Sequence, residues 1–378
     1  MPISAQAAVE RLLTVSWSER LIRGWNDGWI ELPFRLGEKI GHIAGANPDE
    51  VVVADSTSVN LYKLAVAACI AQRPRTRVIT DDLNFPSDIY VLQSIRGLVP
   101  EMELVIAPSR DGIYGPADDI VELIDEQTAL VALSHTAFKS GFTYDIAPIA
   151  ERARRHGAMT LWDLSHSVGS VPTDLAGSGA DLAVGCTYKY LNGGPGAPAF
   201  LYIRRGLQER LSNPVAGWMG HGDPFGFSLE YAPAQGIKRF LTGTPAVISL
   251  VAMEAGLDLI LEAGMTRLRS KSREQTSLLH RLWKDRLEAR GFSFNSPADP
   301  AQRGSHVSVG HEEGLRIDQA LIDRMNVLPD FRAPNSIRLG VAPLYTRFVD
   351  LFDAVERMVE VVDERLYEDY PTEPPAVT

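Results

Sequence analysis

The chain has 378 residues, 45% hydrophobic and 22% charged, with a formal net charge of −11. These values exclude wholesale disorder, and the acidic balance disfavours a nucleic-acid or anionic-membrane partner, since both need a positive surface. The two cysteines, Cys69 and Cys186, have no CxxC spacing, which excludes a disulfide framework or structural zinc site and predicts a reducing, cytoplasmic setting.

From about residue 50, short β-branched runs alternate with helical stretches, the pattern of an α/β fold with a largely parallel sheet. Strands are predicted at 51–53, 78–80, 103–107, 129–134, 159–163, 182–187 and 199–203. Between them, helices are predicted over 60–72, 88–96, 146–156 and 245–263; in the first, Leu61, Leu64, Ala65 and Ala68 fall at helical spacing. A charged helix over 267–290 then opens a region of different texture, with strands near 305–309 and 337–341 and helices near 317–325 and 347–365. This reading divides the chain into an N-terminal helical segment (1–45), a large domain (46–262), a small C-terminal α+β domain (263–368) and a flexible tail (369–378).

Several chemistries find no support. GxGxxG, Walker A, HExxH and GxSxG patterns are missing, and no apolar run approaches the roughly 18 residues of a membrane span. The opening residues do not read as a signal peptide.

The informative stretch is TLWDLSHS (160–167), followed by GCTYKYLNGGPG (185–196). Asp163 ends one apolar strand; Lys189 follows 26 residues later, after a second apolar strand and before a glycine-rich loop. That pair suits pyridoxal phosphate. A lysine amine can hold the aldehyde as a Schiff base, and a carboxylate can keep the pyridine nitrogen protonated so that the ring accepts electrons. The plain alternative is an aspartate at a strand end and a lysine on a solvated edge. His166 reads either as a group beside the cofactor ring or as a hydrogen-bonded histidine at a strand end. Asp55-Ser56-Thr57-Ser58 reads as a helix N-cap that can also cradle a phosphate. Asn84-Phe85-Pro86-Ser87-Asp88 reads as a turn that can set an aromatic face on a ring.

Together with DSTSVNLYK (55–63), NFPSDIY (84–90), GWMGHGDPF (217–225), GIKRFLTGTPA (236–246) and IRLGVAPLY (337–345), these segments resemble the kynureninase family from about Trp17 to Leu366. That family lies within the fold-type-I pyridoxal-phosphate enzymes of the class V aminotransferase group. The resemblance implies a mainly parallel seven-stranded sheet in a large domain, a small C-terminal α+β domain, and pyridoxal 5'-phosphate as cofactor. It implies hydrolysis of L-kynurenine to anthranilate and L-alanine, with another class V activity or a non-catalytic homologue as rivals.

By position, the resemblance makes Lys189 the Schiff-base lysine, Asp163 the pyridinium partner and Tyr188 a phosphate contact and acid or base. Thr57, Ser58, Phe85, Asp88, Ser134 and His166 become cofactor contacts, with Phe85 stacking on the ring. Trp218 and Thr244 become residues that reach the phosphate from a neighbouring subunit, implying a homodimer with shared sites. Arg338 becomes the holder of the substrate α-carboxylate, and Trp29 with Gly243 the pocket for its aromatic ring, favouring kynurenine over its 3-hydroxylated form. No metal is implied. The family's DGNSLG-type opening segment is absent from residues 1–16, so a shortened N-terminus is expected.

Overall fold

The computed structural model describes residues 2–373 in two compact units. The first takes in the described residues up to Pro108, together with Pro116–His135 and Asp145–Met265. The second takes in Ser109–Gly115, Thr136–Tyr144 and the described residues from Thr266 onward. The division is therefore not a single cut near residue 262, because two short excursions from the first region pack with the second. Residues 2–45 join the first unit rather than standing apart. Of the tail expected at 369–378, residues 374–378 lie outside the described residues.

The first unit is built on seven strands, β1 (Val51–Val53), β2 (Arg77–Asp81), β3 (Glu103–Ala107), β4 (Thr128–Ser134), β5 (Met159–Asp163), β6 (Leu182–Gly185) and β7 (Phe200–Ile203). They form one sheet in the order β1-β7-β6-β5-β4-β2-β3. Strands β2 to β6 pair in parallel, while β7 runs antiparallel to both β6 and β1. Every residue of β4, β5, β6 and β7 is buried. This explains their continuous apolar runs, since a sheet covered on both faces needs no polar alternation.

The helices of this unit are α1 (Ile3–Arg11), α2 (Leu32–Ala44), α3 (Thr57–Ala71), α4 (Pro86–Ile95), α5 (Ala117–Leu123), α6 (Ile146–Arg155), α7 (Leu175–Ser178), α8 (Arg205–Gln208) and α9 (Val247–Ala263). Small side chains at Ala65, Ala67 and Ala68 let α3 bury nine of its residues, Lys63 among them. Helix α3 begins three residues before the predicted start at residue 60, because Ser56 supplies the cap that Val59 N–H needs.

In the second unit, α10 (Met265–Leu282, begun at the end of the first unit), α11 (Gly314–Met325) and α12 (Phe348–Asp363) accompany an antiparallel sheet. Its strands, β8 (Ser293–Phe294), β9 (His306–Gly310), β10 (Asp330–Arg332) and β11 (Ser336–Gly340), lie in the order β10-β11-β9-β8. The expected helix over 267–290 ends as regular α-helix at Leu282 and continues as a wider turn over Trp283–Leu287. Strands β8 and β10 have two and three residues, too short to leave a periodic signal. No described helix is long and apolar enough to cross a membrane.

Candidate active site

Parallel strands end side by side, and their carboxyl ends gather the polar groups of the first unit. Ser134, last in β4, pairs in register with Asp163, last in β5, which in turn lies opposite Val184 of β6. Lys189 is the fourth residue after β6.

The Asp163 carboxylate is buried and held at one oxygen. Its Oδ1 accepts from Ser165 N–H at 2.9 Å and from Ser165 Oγ at 2.6 Å. Ser165 Oγ in turn accepts from Cys186 N–H at 3.0 Å, tying the carboxylate to the segment that leads to Lys189. Asp88, on α4, is also buried and interacts with Asp163. Burial, then the charge of Asp163, pushes the Asp88 carboxyl well above the ordinary range. Asp163 is raised by burial too, but Ser165 and the nearby Lys189 ammonium oppose that rise. Of the two, Asp88 is held the further above its ordinary range and takes up a proton the more readily.

Lys189 is half-buried, with Nζ 5.7 Å from the Tyr188 ring centre. The Tyr188 phenol is pushed up to about 12, chiefly by burial, so it keeps its proton at neutral pH.

A cavity of about 570 Å³ opens beside the start of α3, lined by residues 55–58, Tyr188, 196–199 and 241–246, among others. Asp55 adopts a left-handed backbone, φ +49°, which turns the chain from β1 into the helix. Ser56, Thr57 and Ser58 bring hydroxyls to the helix N-terminus, where unpaired N–H groups favour an anion. Ser58 Oγ lies 3.0 Å from Ser87 Oγ, linking this loop to the NFPSDIY turn. Lys189, Asp163 and His166 are not among the residues lining this cavity.

The remaining expected residues are distributed as follows. Phe85 caps α4 in an extended conformation and is exposed, as the residue before a proline tends to be held. His166 is buried. Thr244 and Gly243 line the cavity beside α3 within the same chain. Trp218 instead lines a separate cavity with Phe227 and Tyr231. Trp29 lines a third, apolar cavity with Leu12, Trp17 and Trp25, so Trp29 and Gly243 are not brought into one pocket. Gly24 leaves room for the Trp29 indole, which packs there and edge-on against Trp25.

Arg338, in the second unit, spreads its planar fork over a carboxylate of its own chain. Its Nε and Nη2 donate to Asp330 at 2.7 and 2.5 Å, and Nη1 donates to the Phe138 carbonyl at 2.5 Å.

Two organising residues escaped the sequence reading. Asn84 accepts from Ser134 Oγ at 2.6 Å and Phe85 N–H at 2.9 Å, and donates to Thr80 Oγ1 at 3.0 Å. It thereby pins the end of β4 to the turn before α4. Ser165 is the other; its signal was the Asp-x-Ser spacing, which lets a side chain close on a backbone two residues on.

These groups suit pyridoxal phosphate. The buried Asp88 Oδ2 has no hydrogen-bond partner in the protein, a second buried carboxyl stands beside it, an amine lies within their field, and a hydroxyl-rich helix start faces a cavity. Among the described residues, no cluster of His, Cys, Asp or Glu is placed to hold a metal ion.

Such a sheet, with an acid and a lysine at its carboxyl edge, defines a fold-type-I pyridoxal-phosphate protein. A lysine-to-alanine variant of C-DES with glycine covalently linked to its PLP cofactor shares this fold, with a TM-score of 0.79 at 18% identity over 95% of this chain and 94% of that one. The profile of the kynureninase C-terminal domain matches residues 268–358. Kynureninase of Pseudomonas fluorescens is 38% identical over 374 residues, covering 97% of this chain and 88% of the relative. That of Burkholderia mallei is 40% identical over 370 residues, covering 96% and 86%. The chain belongs to the kynureninase family, and its cofactor is pyridoxal 5'-phosphate.

Proposed function

We propose that the protein hydrolyses L-kynurenine to anthranilate and L-alanine. The observation that carries this reading is the identity to kynureninases over nearly the whole chain. In this reading Lys189 holds the cofactor, and Asp163, Asp88, His166, Ser134 and Phe85 surround its ring. Thr57, Ser58 and Tyr188 serve its phosphate, with Trp218 and Thr244 reaching it from the neighbouring subunit. Bound there, the cofactor supplies an electron sink for the bonds broken at the substrate's Cα and Cβ.

The chain's own residues then divide the work. Lys189 Nζ moves the proton at the substrate Cα, an amine being the base nearest the buried carboxyl pair. Asp163, with Oδ1 satisfied by Ser165, would hold a proton on the cofactor's ring nitrogen. Asp88, raised well above its ordinary range by burial and by Asp163, takes up a proton more readily than a free carboxyl. Tyr188 keeps its proton and donates it where negative charge develops. Water adds to the side-chain carbonyl carbon Cγ, the Cβ–Cγ bond breaks to release anthranilate, and Cβ takes up a proton so that the remaining three-carbon part leaves as L-alanine. Arg338 would bind the substrate α-carboxylate by releasing Asp330, whose carboxylate now takes the Nε and Nη2 donors of the fork. The preference for kynurenine over its 3-hydroxylated form expected from Trp29 and Gly243 has no shared pocket to rest on, since the two line different cavities. The active form is a homodimer with shared sites in the cytoplasm.

A desulfurase, which needs a reactive thiolate, is disfavoured. Cys69 is buried with its thiol pushed up to about 12, and burial likewise raises the Cys186 thiol. Purified, cofactor-loaded protein given L-kynurenine is expected to release fluorescent anthranilate and equimolar alanine. Consumption of kynurenine without anthranilate, or no consumption at all, overturns the reading.

A further inference from the structure

The cavity beside α3 contains an apparent contradiction. A phosphate ester is a dianion near neutral pH, yet the carboxylate of Asp55 lines the wall of the cavity assigned to it. An acid at an anion site repels its ligand unless another charge cancels it.

Lys63 provides that charge. It sits two turns into α3 with its side chain fully buried, and its Nζ donates to Asp55 Oδ2 at 2.7 Å and to the Phe240 carbonyl at 2.5 Å. A buried ammonium costs several kcal/mol in lost hydration, so both acceptors must be held for it to stay charged. Those acceptors belong to the two sides of the cavity. Asp55 opens the Asp55–Ser58 wall, and Phe240 ends the turn (Gly236–Phe240) that runs directly into the wall at 241–246. One ammonium group, carried on a helix wedged against the sheet by small residues, therefore braces both walls.

We propose that Lys63 is a positioning residue of the phosphate cradle, joining its two walls through Asp55 and the Phe240 carbonyl while neutralising the carboxylate that would repel the phosphate. This rests on reading the cavity as the phosphate site. The role is electrostatic as well as mechanical, which makes it separable from a contribution to folding.

The test compares pyridoxal 5'-phosphate with pyridoxal, identical except for the phosphate. Full-length apoprotein is titrated with each by absorbance and intrinsic fluorescence, and the ratio of the two affinities is the readout. Lys63→Met leaves Asp55 unbalanced and should lower that ratio by roughly tenfold, about 1.4 kcal/mol, while pyridoxal affinity changes less than about twofold, since no charge of its own meets Asp55. Asp55→Asn, with Lys63 retained, should raise the ratio, roughly two- to tenfold, because the cradle then carries a net positive charge. Opposite signs are the signature, as damage to the fold would lower affinity for both ligands in both variants. An unchanged ratio in Lys63→Met overturns the role of Lys63. If Lys63→Met does not fold, Asp55→Asn decides alone, and a ratio at or below the unsubstituted protein's overturns the proposal. If the unsubstituted protein binds both ligands equally, the cavity is not the phosphate site, and that separate failure removes the premise.

Discussion

Replacing Asp163 separates its charge from its structural bonds. In Asp163→Asn the amide oxygen can still accept from Ser165 N–H and Ser165 Oγ, now 2.9 and 2.6 Å from Oδ1. Hydrogen bonds to a charged group contribute about 1 kcal/mol more than neutral ones, so weakening two of them costs roughly 2 kcal/mol. Relief from burying a charge offsets part of that. In Asp163→Ala both Ser165 donors lose their acceptor in a buried place, at about 1–3 kcal/mol each, so stability falls by roughly 2–6 kcal/mol. Catalysis should not follow the same order. Both variants lose the negative charge, and removing one preorganised electrostatic partner typically costs about 3–4 kcal/mol of transition-state stabilisation. Each should therefore turn over kynurenine about 10²–10³-fold more slowly. Anthranilate fluorescence at saturating substrate gives kcat, absorbance verifies cofactor loading, and urea melts give stability. A loaded Asp163→Asn protein within tenfold of normal kcat would falsify the electron-sink assignment. So would a kcat in Asp163→Ala that tracks its stability loss while Asp163→Asn stays active.

Lys189→Ala should abolish the covalent cofactor adduct that borohydride traps; a reducible adduct persisting in that variant would move the attachment elsewhere. Arg338→Lys keeps the charge but loses the planar fork that now spans Asp330 at 2.7 and 2.5 Å. It should raise KM for kynurenine about tenfold or more, as expected for loss of one charge-assisted bond, with cofactor affinity unchanged, and an unaltered KM would exclude Arg338 from the substrate site. Asp318, on α11, supplies a pH signature of its own. Its carboxyl is buried without a hydrogen-bond partner and is pushed from 3.8 up to about 7, by burial first and by Asp330 second. The folded form thus keeps a proton that the unfolded chain releases. This group costs nothing below about pH 4, destabilises the fold progressively from there to about pH 7, and reaches a constant penalty above that. A rise of this size corresponds to at most roughly 4 kcal/mol. Asp318→Asn should raise Tm at pH 8 and leave it nearly unchanged at pH 4, and a gain equal at both pH values would contradict the account.

Much of the first unit could be read from the chain. Runs such as Ala129–Ser134 and Met159–Asp163 are apolar on both faces, and only a covered parallel sheet uses such runs at this spacing. The position of Asp163 at a strand end and of Lys189 beyond the next strand is a property of sequence order, which a parallel sheet converts directly into proximity. Local rules also reached the cap at Ser56, since a hydroxyl before a helix needs only its own neighbours to act.

What depended on distant contacts could not be read this way. The excursions at 109–115 and 136–144 join the second unit through packing, and no local pattern marks that choice. Asp88 and Asp163 are 75 residues apart in the chain, so their shared burial, and hence which of them carries the proton, exists only once α4 meets the sheet edge. The same is true of Arg338 and Asp330, whose pairing needs β10 and β11 in register, and of Trp29 and Gly243, which folding sends to different cavities. Lys63 shows the limit most plainly. A lysine in the middle of a helix reads as a solvated side chain, and only the fold removes the water and supplies Asp55 and the Phe240 carbonyl in its place. Sequence alone determined the elements and the order of the chemical groups, because those follow from neighbours along the chain. Charge state, partner and cavity were decided by tertiary structure, because they depend on which groups lose water together.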